Sequence, residues 1–190
     1  MGEMLEAEDP YTGGEHTWGV VGLVLRVGDH MGLEARERRH LEFTALLHDV
    51  GKLRTPPEIL NKPAALTEEE WAIVRRHPID GQRMLGRIGG MLAEVGASVR
   101  AHHERWDGGG YPDRLAGAAI PLEARIVAAA DTYCAITDDR IFRTSRSHDE
   151  AIRELQRSAG TQLDPWVVTA LVRTLERERG RIAELLRGVA

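Results

Sequence analysis

Seven residues of this chain have side chains suited to holding divalent cations: His16, His48, Asp49, His77, His102, His103 and Asp131. His48 and Asp49 adjoin at the end of an apolar helical run, Ala45-Leu46-Leu47. Successive side chains on a helix diverge by about 100°, yet at a helix end both can turn toward one pocket. An imidazole with a carboxylate suits a borderline metal such as iron, manganese or zinc. A carboxylate offers two oxygens and can bridge two ions, which an imidazole cannot, so Asp49 is the natural bridge. Taken alone, the pair reads equally well as the polar tip of a helix. His102-His103-Glu104 is followed by a glycine-rich stretch, Trp106-Asp107-Gly108-Gly109-Gly110-Tyr111-Pro112, and two adjacent imidazoles in that setting resemble metal ligands beside a substrate-shaping loop. Asp131 lies among alanines and must be ion-paired, hydrogen-bonded or metal-bound if buried. The alternative partner for it is a backbone group or Arg125.

The elements that would carry these residues read as helices. Periodicity and breaks predict helices over His16–Met31 and Glu34–Val50, the second stopped by Gly51. Thr67 with Glu70 forms a capping box, so a helix starts at Glu68 and runs to about His77, where Pro78 disfavours helical geometry. Met91–Arg105 reads as another helix and Asp107–Gly117 as a loop. Pro121 opens a helix through Thr137, Ser147 and Glu150 form a second capping box, and Asp164-Pro165 starts a long C-terminal helix. No segment alternates with period two. The expected fold is all-α: a single helical-bundle domain over residues 15–190 behind a loose lead-in at residues 1–14.

Bulk properties narrow the function. The chain has 190 residues, 42% hydrophobic and 29% charged, enough for one domain with a sizeable core. Its net charge of −5 argues against sequence-independent binding to a nucleic-acid polymer. The single cysteine, Cys134, excludes an internal disulfide, and no apolar run reaches the length of a membrane span. These features place the chain, as an expectation, in the cytoplasm.

Leu46-Leu47-His48-Asp49-Val50-Gly51-Lys52 resembles the HD signature, and His102–Pro112, ending in Gly110-Tyr111-Pro112, resembles the HD-GYP extension. His77-Pro78 with Gly81, Pro121-Leu122 with Ala124-Arg125-Ile126, and Asp164-Pro165 follow in the family's order, so the likeness covers about residues 9–175. The chain is therefore identified as similar to the HD-GYP domain family within the HD metal-dependent phosphohydrolases. The resemblance implies an all-helical phosphodiesterase with a binuclear centre of two divalent ions, iron or manganese. By position, His16, His48, Asp49 and Asp131 would hold one ion, and Asp49, His77, His102 and His103 the other. Lys52 would touch the scissile phosphate, Arg140 and Arg143 would clamp the substrate's phosphates, and Gly110, Tyr111 and Pro112 would shape the substrate site. Asp49 and Lys52 are the catalytic candidates. The glycine run would let backbone approach a ligand or partner.

Three positions depart from the family pattern. The opening Tyr11-Thr12-Gly13-Gly14-Glu15-His16 carries one extra residue before the histidine. Thr12 stands where members with a third metal have an acid, which supports two ions here. Cys134 replaces a usual Asp, and Ile141-Phe142 replaces Pro-Tyr. Of the remaining residues, Glu104 reads as a partner orienting an imidazole or as a cap for a basic side chain. Trp18 reads as core, Trp71 and Trp166 as core or interface, and Trp106 as a candidate pocket residue. His30, His40 and His148 read as solvent-exposed, Cys134 as a small buried hydrophobe, and Glu176-Arg177-Glu178-Arg179 as a solvated face.

The expected reaction is hydrolysis of the bacterial signalling nucleotide cyclic di-GMP to linear pGpG, or onward to GMP, by a hydroxide shared between the two ions. Two alternatives stay open: a phosphohydrolase for another cyclic nucleotide, and a receptor or adaptor with weak turnover. The expected partners are a cyclic dinucleotide and, through the Gly110-Tyr111-Pro112 loop, a diguanylate cyclase (GGDEF) protein; a homodimer is a further option. Neither a nucleic-acid polymer nor a membrane is expected.

Overall fold

The structure, a computed structural model, describes residues 14–138 and 146–188. Among these, the chain forms helices α1 (Gly14–Met31), α2 (Ala35–Leu47), α3 (Pro57–Leu60), α4 (Glu68–Val74), α5 (His77–Ile88), α6 (Met91–Ala101), α7 (Leu122–Thr137), α8 (His148–Ser158) and α9 (Pro165–Gly188). Two 3₁₀ turns, Val50–Arg54 and Gly117–Ala119, join them. No strand occurs among the described residues, only an isolated bridge between Ala159 and Leu163. The all-α expectation holds. No helix among the described residues is long and apolar enough to cross a membrane.

Local chemistry accounts for the helix starts. Thr67 and Ser147 accept hydrogen bonds from the amides of Glu70 and Glu150, and each glutamate reaches back to the cap amide. Asp164 caps α9 by accepting from the Trp166 amide at 2.8 Å, and its other oxygen receives Arg125 at 2.7 Å. Arg125 is thus committed to α9 rather than to Asp131.

Three helix ends differ from the sequence expectation. The helix from Glu68 does not run on to His77; it stops at Val74, and His77-Pro78 begins a separate helix, α5. Proline is tolerated in a first turn, where its missing N–H has no intrahelical acceptor. The helix expected to reach Val50 ends at Leu47, and the one expected to reach Arg105 ends at Ala101.

The main core lies between α1, α2, α7, α8 and α9, with Val20, Leu23, Val24, Leu41, Ile126, Leu155 and Leu171 at its centre. A second cluster of Leu47, Val50, Leu85, Val95 and Val99 fixes α5 and α6 against the end of α2. Cys134 is buried in the main core, and burial pushes its thiol up to about 12, so it packs as a hydrophobe. Trp18, read as core, is 59% exposed; Trp166 and Trp71, read as core or interface, are 58% and 43% exposed. His148 is half-buried rather than solvated, sharing a 2.7 Å hydrogen bond with the Tyr133 hydroxyl. The charged run in α9 is partly paired: Arg177 meets His30, Glu178 meets Arg26, and Arg179 meets Asp149.

Candidate metal centre

The two core clusters bring four helix ends to one place. His48 closes α2, and Asp49 follows in a bridge conformation (φ −96°, ψ 3°) that opens the first 3₁₀ turn. His77 begins α5, and His102 closes α6 with His103 next to it. Asp131 comes from α7 and His16 from α1.

Each of three imidazoles is hung on its own preceding helical turn. Nδ1 of His48 donates to the Ala45 carbonyl at 2.7 Å, that of His77 to Val74 at 2.8 Å, and that of His102 to Val99 at 2.6 Å. A carbonyl only accepts, so the proton sits on Nδ1, and in the neutral ring Nε2 presents a lone pair. Those Nε2 atoms face inward. His77 and His102 stand 3.2 Å apart, Nε2 to Nε2. With both Nδ1 atoms already donating, this approach sets two lone pairs against each other and calls for a cation between them. The donor set thus fits a divalent metal. Ligand atoms of Asp49, His77, His102 and His103 all lie within 4.8 Å of one another.

Asp49 sits across the middle. One oxygen lies 3.3 Å from His77 Nε2 and 4.0 Å from His102 Nε2. The other lies 3.3 Å from His48 Nε2 and 2.9 Å from Lys52 Nζ. Burial works against its charge, but Lys52 and His48 outweigh it and hold the carboxyl well below the usual range. His48 is likewise opposed by burial, yet Asp49 and Asp131 raise it to about 9. Without a metal, a proton there balances the carboxylates. His102 and His103 go the other way. Burial, helped by neighbouring imidazoles, pushes His102 well below its ordinary value and His103 down to about 4. Both are neutral and able to ligate at physiological pH.

On the far side His16 lies between two carboxylates. Its Nε2 meets Asp131 at 3.0 Å and its Nδ1 meets Asp138 at 2.6 Å. Burial lowers its pKa, but the two acids win and the net shift is upward. Asp138 escaped the sequence reading. It directly follows α7 as the extended residue that ends the helix, seven residues after Asp131.

A cavity of about 660 Å³ opens onto the cluster. His48, Asp49, Lys52, His77, His103 and Asp131 form its polar floor, Tyr111 its rim, and residues of the 59–66 segment with Trp71 and Val74 a wall that is apolar except for Lys62. His102 is buried behind this floor at 2% exposure. Arg140 and Arg143 lie outside the described residues.

Gly110 has a structural role within the glycine-rich loop. A Cβ on Gly110 would sit 2.4 Å from the Arg105 amide and 2.6 Å from Glu104 Cα, so this glycine lets the loop close on its own start. Gly110 is buried, and neither it nor Pro112 lines the cavity. Tyr111 does, with its ring stacked on His103 at 4.8 Å and 25°. Among the described residues, Glu104 neither orients an imidazole nor caps a basic side chain. Its two oxygens accept the amides of Asp113 at 2.6 Å and Leu115 at 3.1 Å, which holds the loop in place. Trp106 packs on Arg125 away from this cavity. Glu104→Gln would leave one of those amides facing an NH₂ group. The expected loss is about 1.5–3 kcal/mol in urea unfolding, with metal content retained.

Comparison with known proteins agrees with this geometry. The model of the HD domain family matches residues 1–167. A relative in Xanthomonas campestris pv. campestris, the cyclic di-GMP phosphodiesterase response regulator RpfG, is 43% identical over 155 residues, which cover 81% of this chain and 40% of the relative. A Vibrio cholerae relative, 3'3'-cGAMP-specific phosphodiesterase 1, is 36% identical over 178 residues, covering 93% and 41%. The chain therefore spans about two fifths of the length of these relatives. Among solved structures, V. cholerae V-cGAP3 superposes with a TM-score of 0.69 at 20% identity over 94% of this chain and 49% of that one. The HD domain of Listeria monocytogenes phosphodiesterase PgpH gives 0.61 at 16% identity over 96% and 97%. By its His48-Asp49 pair at a helix end, its fold and its match along most of its length, this chain belongs to the HD domain family.

Proposed function

We propose that the chain is a metal-dependent phosphodiesterase that hydrolyses cyclic di-GMP, with linear pGpG as the main product. The observation that carries this reading is the convergence of Asp49, His77 and His103, backed by the buried His102, at the floor of a cavity whose wall is mostly apolar. When bound, two divalent ions, iron or manganese, supply positive charge for the phosphate oxygens and acidify a water.

The chain's own residues do the rest. Asp49 spans the two halves of the site, with His16, His48 and Asp131 on one side and His77, His102 and His103 on the other. Asp138 holds His16 in orientation through Nδ1, as ligating histidines require. Lys52, at the floor, places an ammonium where a phosphate oxygen gains charge as the diester is attacked. Arg140 and Arg143 are assigned to the substrate's phosphates by their positions in sequence. Tyr111 closes the rim.

Relatives named for cyclic di-GMP and for 3'3'-cGAMP both match over most of this chain, so a mixed cyclic dinucleotide is the second reading. The test is anaerobic purification, metal analysis, and chromatography of products from both nucleotides. The proposal expects two ions per chain and pGpG from cyclic di-GMP. GMP without detectable pGpG overturns the product assignment. Two ions without hydrolysis of either nucleotide overturns the enzyme reading in favour of a receptor.

A further inference from the structure

Trp71 stands apart from the other exposed tryptophans. Trp18 and Trp166 are exposed without lining the cavity, whereas Trp71, 43% exposed, forms part of the cavity wall. It sits on α4, a short helix that contributes no buried residue to the core, so packing does not explain it. Around it the wall is built from Leu60, Pro63 and Leu66. The Arg75 guanidinium lies 5.7 Å from the Trp71 ring centroid and 5.8 Å from that of Tyr111. Tyr111 in turn stacks on His103. Flat groups thus run from the metal cluster outward: His103, Tyr111, Arg75, Trp71.

A ligand that places a phosphate on the His/Asp floor has this wall, which includes Lys62, beside its attached group. The wall offers an indole face and aliphatic contact, which suit a planar, weakly polar group. We infer that Trp71 is the platform on which one nucleobase of the substrate stacks, with Arg75 holding the platform against Tyr111. This rests on the cyclic dinucleotide reading above. Stacking on an aromatic ring is strong yet tolerant of base identity. Trp71 therefore selects diesters that carry a base over those that do not, and does not select guanine over adenine.

The test compares metal-loaded protein with Trp71→Ala and Trp71→Phe variants on cyclic di-GMP and on a base-free diester, the abasic analogue of cyclic di-GMP in which hydrogen replaces each guanine. Equilibrium binding of a phosphorothioate analogue of cyclic di-GMP is measured alongside by calorimetry. For Trp71→Ala, the ratio of kcat/KM for the dinucleotide to that for the base-free diester should fall roughly tenfold, mainly through KM, and analogue affinity should weaken by a similar factor. Trp71→Phe should recover most of both. A ratio and affinity within twofold of wild type in Trp71→Ala overturn the inference. So does a Phe variant as impaired as the Ala variant, or an equal proportional loss on both substrates. If the unmodified protein binds the analogue in a Trp71-dependent way but hydrolyses neither diester, the platform stands and the hydrolase reading falls.

Discussion

Asp49→Ala is expected to reduce metal content from two ions per chain to fewer than one and to lower cyclic di-GMP turnover by on the order of a thousandfold or more. The reason lies in its two oxygens. One faces His77 and His102 at 3.3 and 4.0 Å, and the other faces His48 and Lys52 at 3.3 and 2.9 Å. No other carboxylate stands within the four-residue cluster, so alanine leaves three imidazoles without an anionic partner. It also removes the carboxylate that Lys52 meets at 2.9 Å. Elemental analysis after dialysis reads the metal content, and circular dichroism confirms that the helices remain. If the variant keeps two ions, the bridging assignment is wrong. Asp49→Asn, with one acceptor oxygen and similar shape, should fall between the two.

Gly51→Ala is expected to unfold the chain more readily than any other glycine substitution on this side of the molecule, except at Gly110. Its Cβ would lie 1.9 Å from the His77 carbonyl oxygen, 2.8 Å from the His77 carbonyl carbon and 2.6 Å from the Gly81 amide. All three are backbone atoms, so no rotamer change relieves the clash. The 3₁₀ turn and α5 must separate, at a cost of more than about 3 kcal/mol. For a chain of this size that corresponds to a fall in Tm of about 6–12 °C. The separation also moves His77, so metal retention should weaken with stability. Gly86→Ala, in the same helix with open space around its Cβ, is the control and should be neutral or slightly stabilising. Thermal melts of the two variants decide the matter; a Gly51→Ala melt within 2 °C of wild type, with ~1 kcal/mol as its limit, would sink the contact.

Most of the helices were legible because caps and breaks are written in short stretches of side-chain chemistry. Thr67 with Glu70, Ser147 with Glu150, and Asp164-Pro165 each mark a helix start where one occurs. Pro78 misled because proline is hostile to a helix interior yet welcome in a first turn, and the local sequence does not say which applies. The packing of Val50 and Gly51 against α5 decides it, and that is a long-range contact. The candidate ligands were legible from residue type and order. Their grouping was not: His77 and His102 are 25 residues apart, and only the fold brings their Nε2 atoms to 3.2 Å. Asp138 was missed because its partner, His16, lies 122 residues away. The tryptophans misled for the opposite reason. A large apolar residue at helical spacing is read as core, and only the shape of the molecule shows that Trp71 lines a cavity instead.

The short hydrogen bonds from His48, His77 and His102 to carbonyls near the ends of α2, α4 and α6 have a consequence for how the centre fills. Each ring is anchored to a backbone that must already be helical, so rotational freedom of the ligands is surrendered when the helices form, not when an ion arrives. An entering cation then meets donors already aimed at it. Such preorganisation favours tight capture with little rearrangement. It also ties retention of the ions to the integrity of the last turns of α2 and α6: fraying of either end would release a ligand without touching the site itself.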